Sequence, residues 1–243
     1  MTCKRCSFVY LANPPDESSL YEEYHSRAQA TVDGYRIDSP DRRLAELCAI
    51  NEQRIEMIRQ VQPDGRLLDL GCGRGFFMKT AAESGFQVSG VDVSKEAATF
   101  ARTTLGLAAS TDTLDQLVAR RERFTVITAW HVLEHFMNPV ATLQAIRSLL
   151  VDGGFCFVEV PNLNSLKFIL ARAKWEGGNH PLYHRSFFTR STLGQVFRRA
   201  GFSDVRRVPL SYRIPGRARI YESGKQLLNI LALDAFLDFQ ARK

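Results

Sequence analysis

The sequence has no run approaching the roughly 18 uninterrupted apolar residues of a membrane span, so no transmembrane segment is expected. Its start, Met1-Thr-Cys-Lys-Arg-Cys6, lacks the apolar core of an export signal, and a cytoplasmic location is the expectation. Cysteine is sparse and odd in number: Cys3, Cys6, Cys48, Cys72 and Cys156 stand scattered along the chain. Reduced thiols rather than a disulfide framework are expected. Aromatic residues are not interleaved with basic ones in any recognisable module, which argues against nucleic acid as a partner. The net charge is only +6, but it is unevenly placed. Between Arg185 and Lys225 ten Lys or Arg face two acids, whereas residues 1 to 184 hold twenty against twenty-two. Such an excess is either a solvated face or a patch for an anionic small molecule or a lipid surface.

At 45% hydrophobic and 24% charged, 243 residues suffice for one sizeable core. The chain is organised around Arg66 to Phe77. Leu67, Leu68 and Leu70 form a short apolar run with Asp69 set into it, and Gly71, Gly73 and Gly75 follow at alternating positions. This pattern predicts a buried strand entering a glycine turn and then a helix. Three close glycines permit positive φ and let a ligand lie on bare main chain, and the helix N-terminus that follows completes a nucleotide-type site. A dinucleotide turn needs glycine at its sixth position, where this chain has Phe76. The Gly-Lys-Ser/Thr ending of a phosphate loop is missing as well.

Asp69-Leu70-Gly71-Cys72-Gly73-Arg74-Gly75 resembles, position for position, the first motif of class I S-adenosylmethionine-dependent methyltransferases. The resemblance implies S-adenosyl-L-methionine as cofactor, with Gly71, Cys72, Gly73 and Gly75 against its methionine part and Asp69 helping to hold the amino group. Asp92, roughly 20 residues on at the end of a second strand, is placed to accept hydrogen bonds from ribose hydroxyls, with Val93 beside it. Ser94 after it reads as a helix cap. The resemblance puts Asp112 and Thr113 near the adenine ring, although either also reads as a cap for Leu114 to Ala119. It puts Trp130 and His131 beside the methyl group.

The remaining elements follow in order. An amphipathic helix spans Asp41 to Gln60, and strands are expected at Phe86–Val91, Leu107–Ser110, Phe124–Ala129, Phe155–Val160, Phe202–Val208 and Ala235–Ala241. With the glycine strand they make a doubly wound, mostly parallel seven-stranded sheet whose last strand is antiparallel, as the resemblance implies. His131-Val-Leu-Glu-His135 has the spacing of an inverted zincin motif, but a strand enters it and Asn138-Pro139 starts a new helix directly after. Ubiquinone-type O-methyltransferases carry acids and a histidine here that have been taken as a metal site. His131 replaces one of those acids, and no metal is assigned.

Gly177 to His184 is a glycine-flanked loop with two histidines and a tyrosine. Methyl transfer needs mainly alignment, and a hydroxyl acceptor benefits from a base of near-neutral pKa. His180 and His184 are the candidates for that base, with His131 behind them. Leu163 to Trp175 reads as a cover for the cleft, or as a peripheral contact with a membrane surface. Cys3 and Cys6, with His25 as the nearest extra ligand, resemble one knuckle of a small zinc ribbon that lacks its partner pair. The expected organisation is an extension over residues 1–39, containing that half-ribbon and a lid, and a methyltransferase domain over 40–243. A small-molecule O-methyltransferase, with C-methylation of a sugar-like acceptor kept open, is the leading function. A non-catalytic binding module for the same cofactor and an NAD-linked dehydrogenase are the competing ones.

Overall fold

The structure, a computed structural model, describes residues 1–14, 42–171, 184–208 and 236–243. A two-residue strand β1 (Val9–Tyr10) comes first. Helix α1 (Arg42–Arg59) leads into β2 (Arg66–Leu70), α2 (Phe76–Glu83), β3 (Gln87–Val91), α3 (Lys95–Thr103), β4 (Ala109–Ser110), α4 (Leu114–Ala119) and β5 (Phe124–Trp130). A single 3₁₀ turn (Leu133–His135) separates β5 from α5 (Pro139–Leu149). The chain continues through β6 (Leu150–Pro161), α6 (Leu166–Ala171), β7 (Ser186–Phe187), α7 (Arg190–Arg199), β8 (Ser203–Arg207) and β9 (Phe236–Arg242).

The main sheet has the order β4-β3-β2-β5-β6-β9-β8. Its parallel part runs from β4 to β6, and β9 lies antiparallel to both of its neighbours, as the sequence implies. Both faces are covered, so strand residues alternate between two cores rather than between core and water. Leu68, Ile127, Val158 and Leu237 pack with Leu143, Ile146 and Phe197 on one face. Leu67, Val126 and Phe157 pack with Ile55, Ile58 and Phe77 on the other.

Local signals set the helix starts. The Ser94 hydroxyl accepts from Ala97 N at 3.1 Å, Thr113 forms a capping box with Gln116, and the Asn138 side chain accepts from Ala141 N ahead of Pro139. Each satisfies an amide that the first helical turn leaves without an internal partner. Strand β6 begins at Leu150, five residues before the expected start. Its first residue pairs with Phe124 ahead of a register shift, and Gly153, at φ +80°, falls inside the strand.

A second small sheet was not foreseen. β1 pairs antiparallel with β7, Val9 opposite Phe187, and Phe8 meets the buried Phe188 ring edge-on at 5.5 Å. The N-terminal segment is thereby fixed to the chain that follows the histidine loop. Cys3 and Cys6 lie in the tight turn before β1, where Ser7 N donates to Cys3 O at 2.9 Å. Backbone amides of Arg5 and Cys6 hold the Cys3 thiol below its ordinary value. Among the described residues no third ligand joins the pair. The lid segment with His25 and, in the histidine loop, His180 lie outside the described residues.

Candidate active site

The site lies where the parallel strands end at their carboxyl edges, the position at which doubly wound sheets take ligands. After Leu70 the backbone turns through Gly71, Gly73 and Gly75 at φ +69°, +51° and +81°. Gly71 N and Cys72 N donate to Val91 O at 2.8 and 3.1 Å, which ties the turn to the end of β3. A Cβ at Gly71 would stand 2.4 Å from Val132 Cγ2, whereas one at Gly73 would meet nothing within 4 Å. Gly71 is thus required by packing, and Gly73 leaves an open surface of bare backbone. Gly71→Ala combines a positive-φ penalty with that clash and is expected to lower stability by about 2 to 3 kcal/mol, measurable in urea unfolding.

Asp92 closes the turn from the far side. Its Oδ2 accepts from Gly73 N and its Oδ1 from Ser94 N, both at 2.8 Å. One buried carboxylate therefore holds the glycine turn and the start of α3 at once, and Val93 beside it is 60% exposed. Asp69 is buried under the turn, where Thr128 Oγ1 donates to its Oδ1 at 2.7 Å. Burial pushes its pKa up to about 7, against the lowering effects of Thr128 and Arg54.

Asp112 is held by Arg120 at 2.7 and 3.2 Å and by the Ser110 hydroxyl at 2.7 Å. The Arg120 contact keeps its carboxyl below the usual range. Thr113 caps α4. Thr113 thus takes the capping role that its position also suggested, whereas Asp112 is held by Arg120 and Ser110 and does not cap the helix.

At the end of β5, Trp130 packs edge-on against Phe77 at 5.4 Å, and the Arg54 guanidinium lies 4.4 Å from its ring centre. His131 follows with φ +59°, a left-handed conformation that costs a non-glycine residue of order 1 kcal/mol. His131 N donates to Glu159 O at 2.9 Å, and its Nε2 meets Glu159 Oε1 at 2.7 Å. Partial burial alone would lower the His131 pKa, but the charges of Glu159 and Glu134 outweigh it and raise the value to about 9. At neutral pH this histidine is a cation.

Its partner Glu159 also receives Arg54 at 2.7 Å, with side chains 9% and 1% exposed. Arg54 Nη1 reaches Asn51 Oδ1 at 3.4 Å. Burial would raise the Glu159 pKa, yet Arg54 and His131 hold it well below the ordinary carboxylate value. Sequence reasoning missed Arg54 and Glu159 as a pair because 105 residues separate them. One signal was available: Asn51 and Arg54 share the face of α1 that also carries Ile55 and Ile58, a polar pair within an otherwise apolar stripe.

The structure also groups Glu134, His135 and His184, whose potential ligand atoms all lie within 4.8 Å of one another. The His135 and His184 rings meet edge-on at 5.0 Å. Glu134 is 1% exposed, and neither carboxylate oxygen accepts a hydrogen bond. His131 Nδ1 stands 3.6 Å from Glu134 Oε1. The sequence assigned no metal to this segment and gave Glu134 no part in the site. Arg185 N donates to Glu134 O at 2.9 Å, and this bond brings the end of the histidine loop onto the strand-five segment.

A sheet with one antiparallel strand near its edge, together with a turn that carries Phe76 where a dinucleotide would need glycine, defines a Rossmann-like methyltransferase. Residues 34–207 match the methyltransferase domain family, and the chain belongs to that family. It is an S-adenosylmethionine-dependent enzyme. Curated relatives include a ubiquinone biosynthesis O-methyltransferase of Nitrosospira multiformis, 29% identical over 188 residues that cover 71% of this chain and 78% of the relative. A protein of the same name from Cereibacter sphaeroides is 33% identical over 58% of this chain and 62% of its own. Among solved structures, Burkholderia thailandensis 1,6-didemethyltoxoflavin-N1-methyltransferase aligns with a TM-score of 0.62 at 18% identity, over 100% of this chain and 97% of that one. Magnesium protoporphyrin IX methyltransferase of Synechocystis aligns at 0.63 and 13% identity, over 94% and 100%. At such identities the structural likenesses speak to the fold. Among the described residues no helix is long and apolar enough to cross a membrane.

Proposed function

We propose that the protein transfers the methyl group of S-adenosylmethionine to a hydroxyl of a small, anionic acceptor, with His184 as the base that takes the hydroxyl proton. The observation that carries this reading is the His135–His184 pair, set beside Glu134 just beyond the end of β5. His131 receives a different part: bound to Glu159 and already protonated at neutral pH, it is poorly suited to accept a proton. Its cationic ring, edge-on to Phe236 at 4.7 Å, positions the segment instead. The names of the relatives support oxygen as the acceptor atom. The basic excess between Arg185 and Lys225 supports an anionic acceptor. Asp69, the glycine turn and Asp92 hold the amino group, the methionine part and the ribose, with Val93 and Asp112 toward the adenine.

Two experiments test the reading. Labelled S-adenosylmethionine offered with phenolic, catecholic, sugar and amine acceptors is expected to label hydroxyl acceptors, and labelling confined to amines would overturn it. His184→Ala is expected to lower kcat by about 10² to 10⁴. Turnover unchanged in His184→Ala, and also in His180→Ala, removes the proposed base. The Asp69 pKa near 7 adds a pH prediction. An ammonium is held better by the ionised acid, so cofactor affinity is expected to rise between pH 6 and 8 and to flatten above it.

A second reading gives the same cluster a divalent cation. Glu134 favours it, because its buried carboxylate accepts no hydrogen bond and the His131 ring, 3.6 Å away, compensates only one of its oxygens. Glu134, His135 and His184 would then hold an ion able to lower the pKa of the acceptor hydroxyl. Loss of turnover with a chelator, restored by added magnesium or manganese, selects this reading. Chelator-insensitive turnover selects the base.

A further inference from the structure

The turn ahead of β1 holds two sulfurs that methyl transfer leaves unused. Ser7 N donates to Cys3 O at 2.9 Å and Cys3 N to Phe8 O at 2.8 Å, so the chain closes on itself between these residues. A turn this tight brings the Cα atoms of positions i and i+3 within about 7 Å of each other, which is within reach of a disulfide. The side chains meet as well. The Cys6 thiol donates a hydrogen bond to the Cys3 sulfur, which also accepts from the backbone amides of Arg5 and Cys6. Both cysteines are half-exposed, and Lys4 and Arg5 between them are exposed. No acid stands among residues 1–14, and Arg199, at the end of α7, adds its positive charge to the field at Cys3.

These donors favour the thiolate, the form of cysteine that attacks a disulfide. The other cysteines stand in contrast. Cys72 and Cys156 are buried, and burial pushes both thiols up. Cys48 is exposed on α1, with no second cysteine in that helix. A half-exposed pair of thiols either ligates a metal or closes on itself, and the number of ligands separates the two. A closed zinc site takes four, whereas among the described residues no third ligand joins this pair. A disulfide needs two sulfurs and no further group. The cations around the pair also select the partner: a disulfide that carries carboxylates is drawn to Lys4, Arg5 and Arg199, and an uncharged one is not.

We propose that Cys3 and Cys6 form a thiol–disulfide exchange site for a small anionic disulfide, with Cys3 as the attacking sulfur and Cys6 as the resolving one. Glutathione disulfide is the probe. The Cys3 thiolate attacks one of its sulfurs, forms a mixed disulfide and releases one glutathione, which takes a proton from water. Cys6 then gives its proton to water, attacks the Cys3 sulfur and releases the second glutathione. Over both steps the two cysteine thiols lose two electrons and two protons, and one disulfide is reduced to two thiols. The full chain is equilibrated with glutathione and its disulfide at several ratios, then alkylated and read by peptide mass spectrometry. The peptide holding Cys3 and Cys6 is expected to lose two hydrogens as the share of disulfide rises, while Cys48 stays mostly alkylated. Cys6→Ser is expected to stop at the mixed disulfide, with one glutathione held on Cys3, and Cys3→Ser to carry no more glutathione than Cys48 does. S-adenosylhomocysteine affinity is expected to stay unchanged in both variants, which shows that they fold and separates failure of this site from failure of the methyltransferase reading. Three results overturn the proposal: a mixed disulfide that persists on the unsubstituted chain, a Cys3 in Cys6→Ser no more reactive than Cys48, or both thiols masked by a zinc ion that copurifies with the chain.

Discussion

Replacing Asp92 by alanine is expected to weaken S-adenosylhomocysteine binding by at least about 100-fold and to lower stability by about 3 kcal/mol. The reason is that one carboxylate serves two purposes. It accepts hydrogen bonds from Gly73 N and Ser94 N, and a bond to a charged group is worth about 1.5 to 3 kcal/mol. Removing it releases the glycine turn and, in the proposed binding mode, the acceptor for the ribose hydroxyls. Asp92→Asn keeps the shape and can still accept, so a smaller loss of stability is expected with most of the loss of affinity. Calorimetric titration and urea unfolding measure the two separately. A full loss of affinity with no change in stability would mean that the Gly73 and Ser94 contacts contribute nothing.

The second large effect is expected at Glu159. Its carboxylate is buried between Arg54 at 2.7 Å and His131 at 2.7 Å. Glu159→Ala leaves a buried guanidinium without its counter-charge, a change that typically costs 3 to 5 kcal/mol. Glu159→Gln keeps the volume but not the charge, and a loss nearer the lower figure is expected. The network also gives stability a pH dependence of known sign. The folded-state pKa of His131 is raised, so its contribution is full below its ordinary value near 6.5 and is lost as pH rises through about 9. The ring is 38% exposed, and after screening this contribution is of order 1 kcal/mol. Glu159 works in the opposite direction: its pKa is depressed, so its contribution holds above the ordinary carboxylate value and fades as pH falls below it. In Glu159→Gln the alkaline decline is expected to shrink, because the partner that raised His131 is gone. An unchanged alkaline decline would contradict the ion pair.

What the sequence made legible follows from how local each determinant is. Strand β2 carries Leu67, Leu68 and Leu70 around a single acid, and the glycines, Ser94, Thr113 and Asn138 act on neighbours within three or four positions, so turn and caps can be read without a fold. The doubly wound order could be read because strands and helices alternate. The pairs that need the fold stayed hidden. Arg54 meets Glu159 only because α1 packs across the sheet, and Val9 meets Phe187 through two strands of two residues each, too short for any period to show. Glu134 sits between two histidines in sequence, yet its burial depends on the return of the chain at Arg185. His131 reads from its type as a base, and its two acidic neighbours make it a cation. Asp112 and Thr113 show the converse: the resemblance suggests a ligand role for both, while locally Thr113 forms a capping box and Asp112 is held by Arg120.

The most direct test of the account is calorimetric titration of the purified chain with S-adenosylhomocysteine and, separately, NAD. The account predicts saturable one-to-one binding of S-adenosylhomocysteine, lost in Asp92→Ala, strengthening from pH 6 to 8 as Asp69 ionises, with no heat from NAD. Binding of NAD without S-adenosylhomocysteine would contradict it.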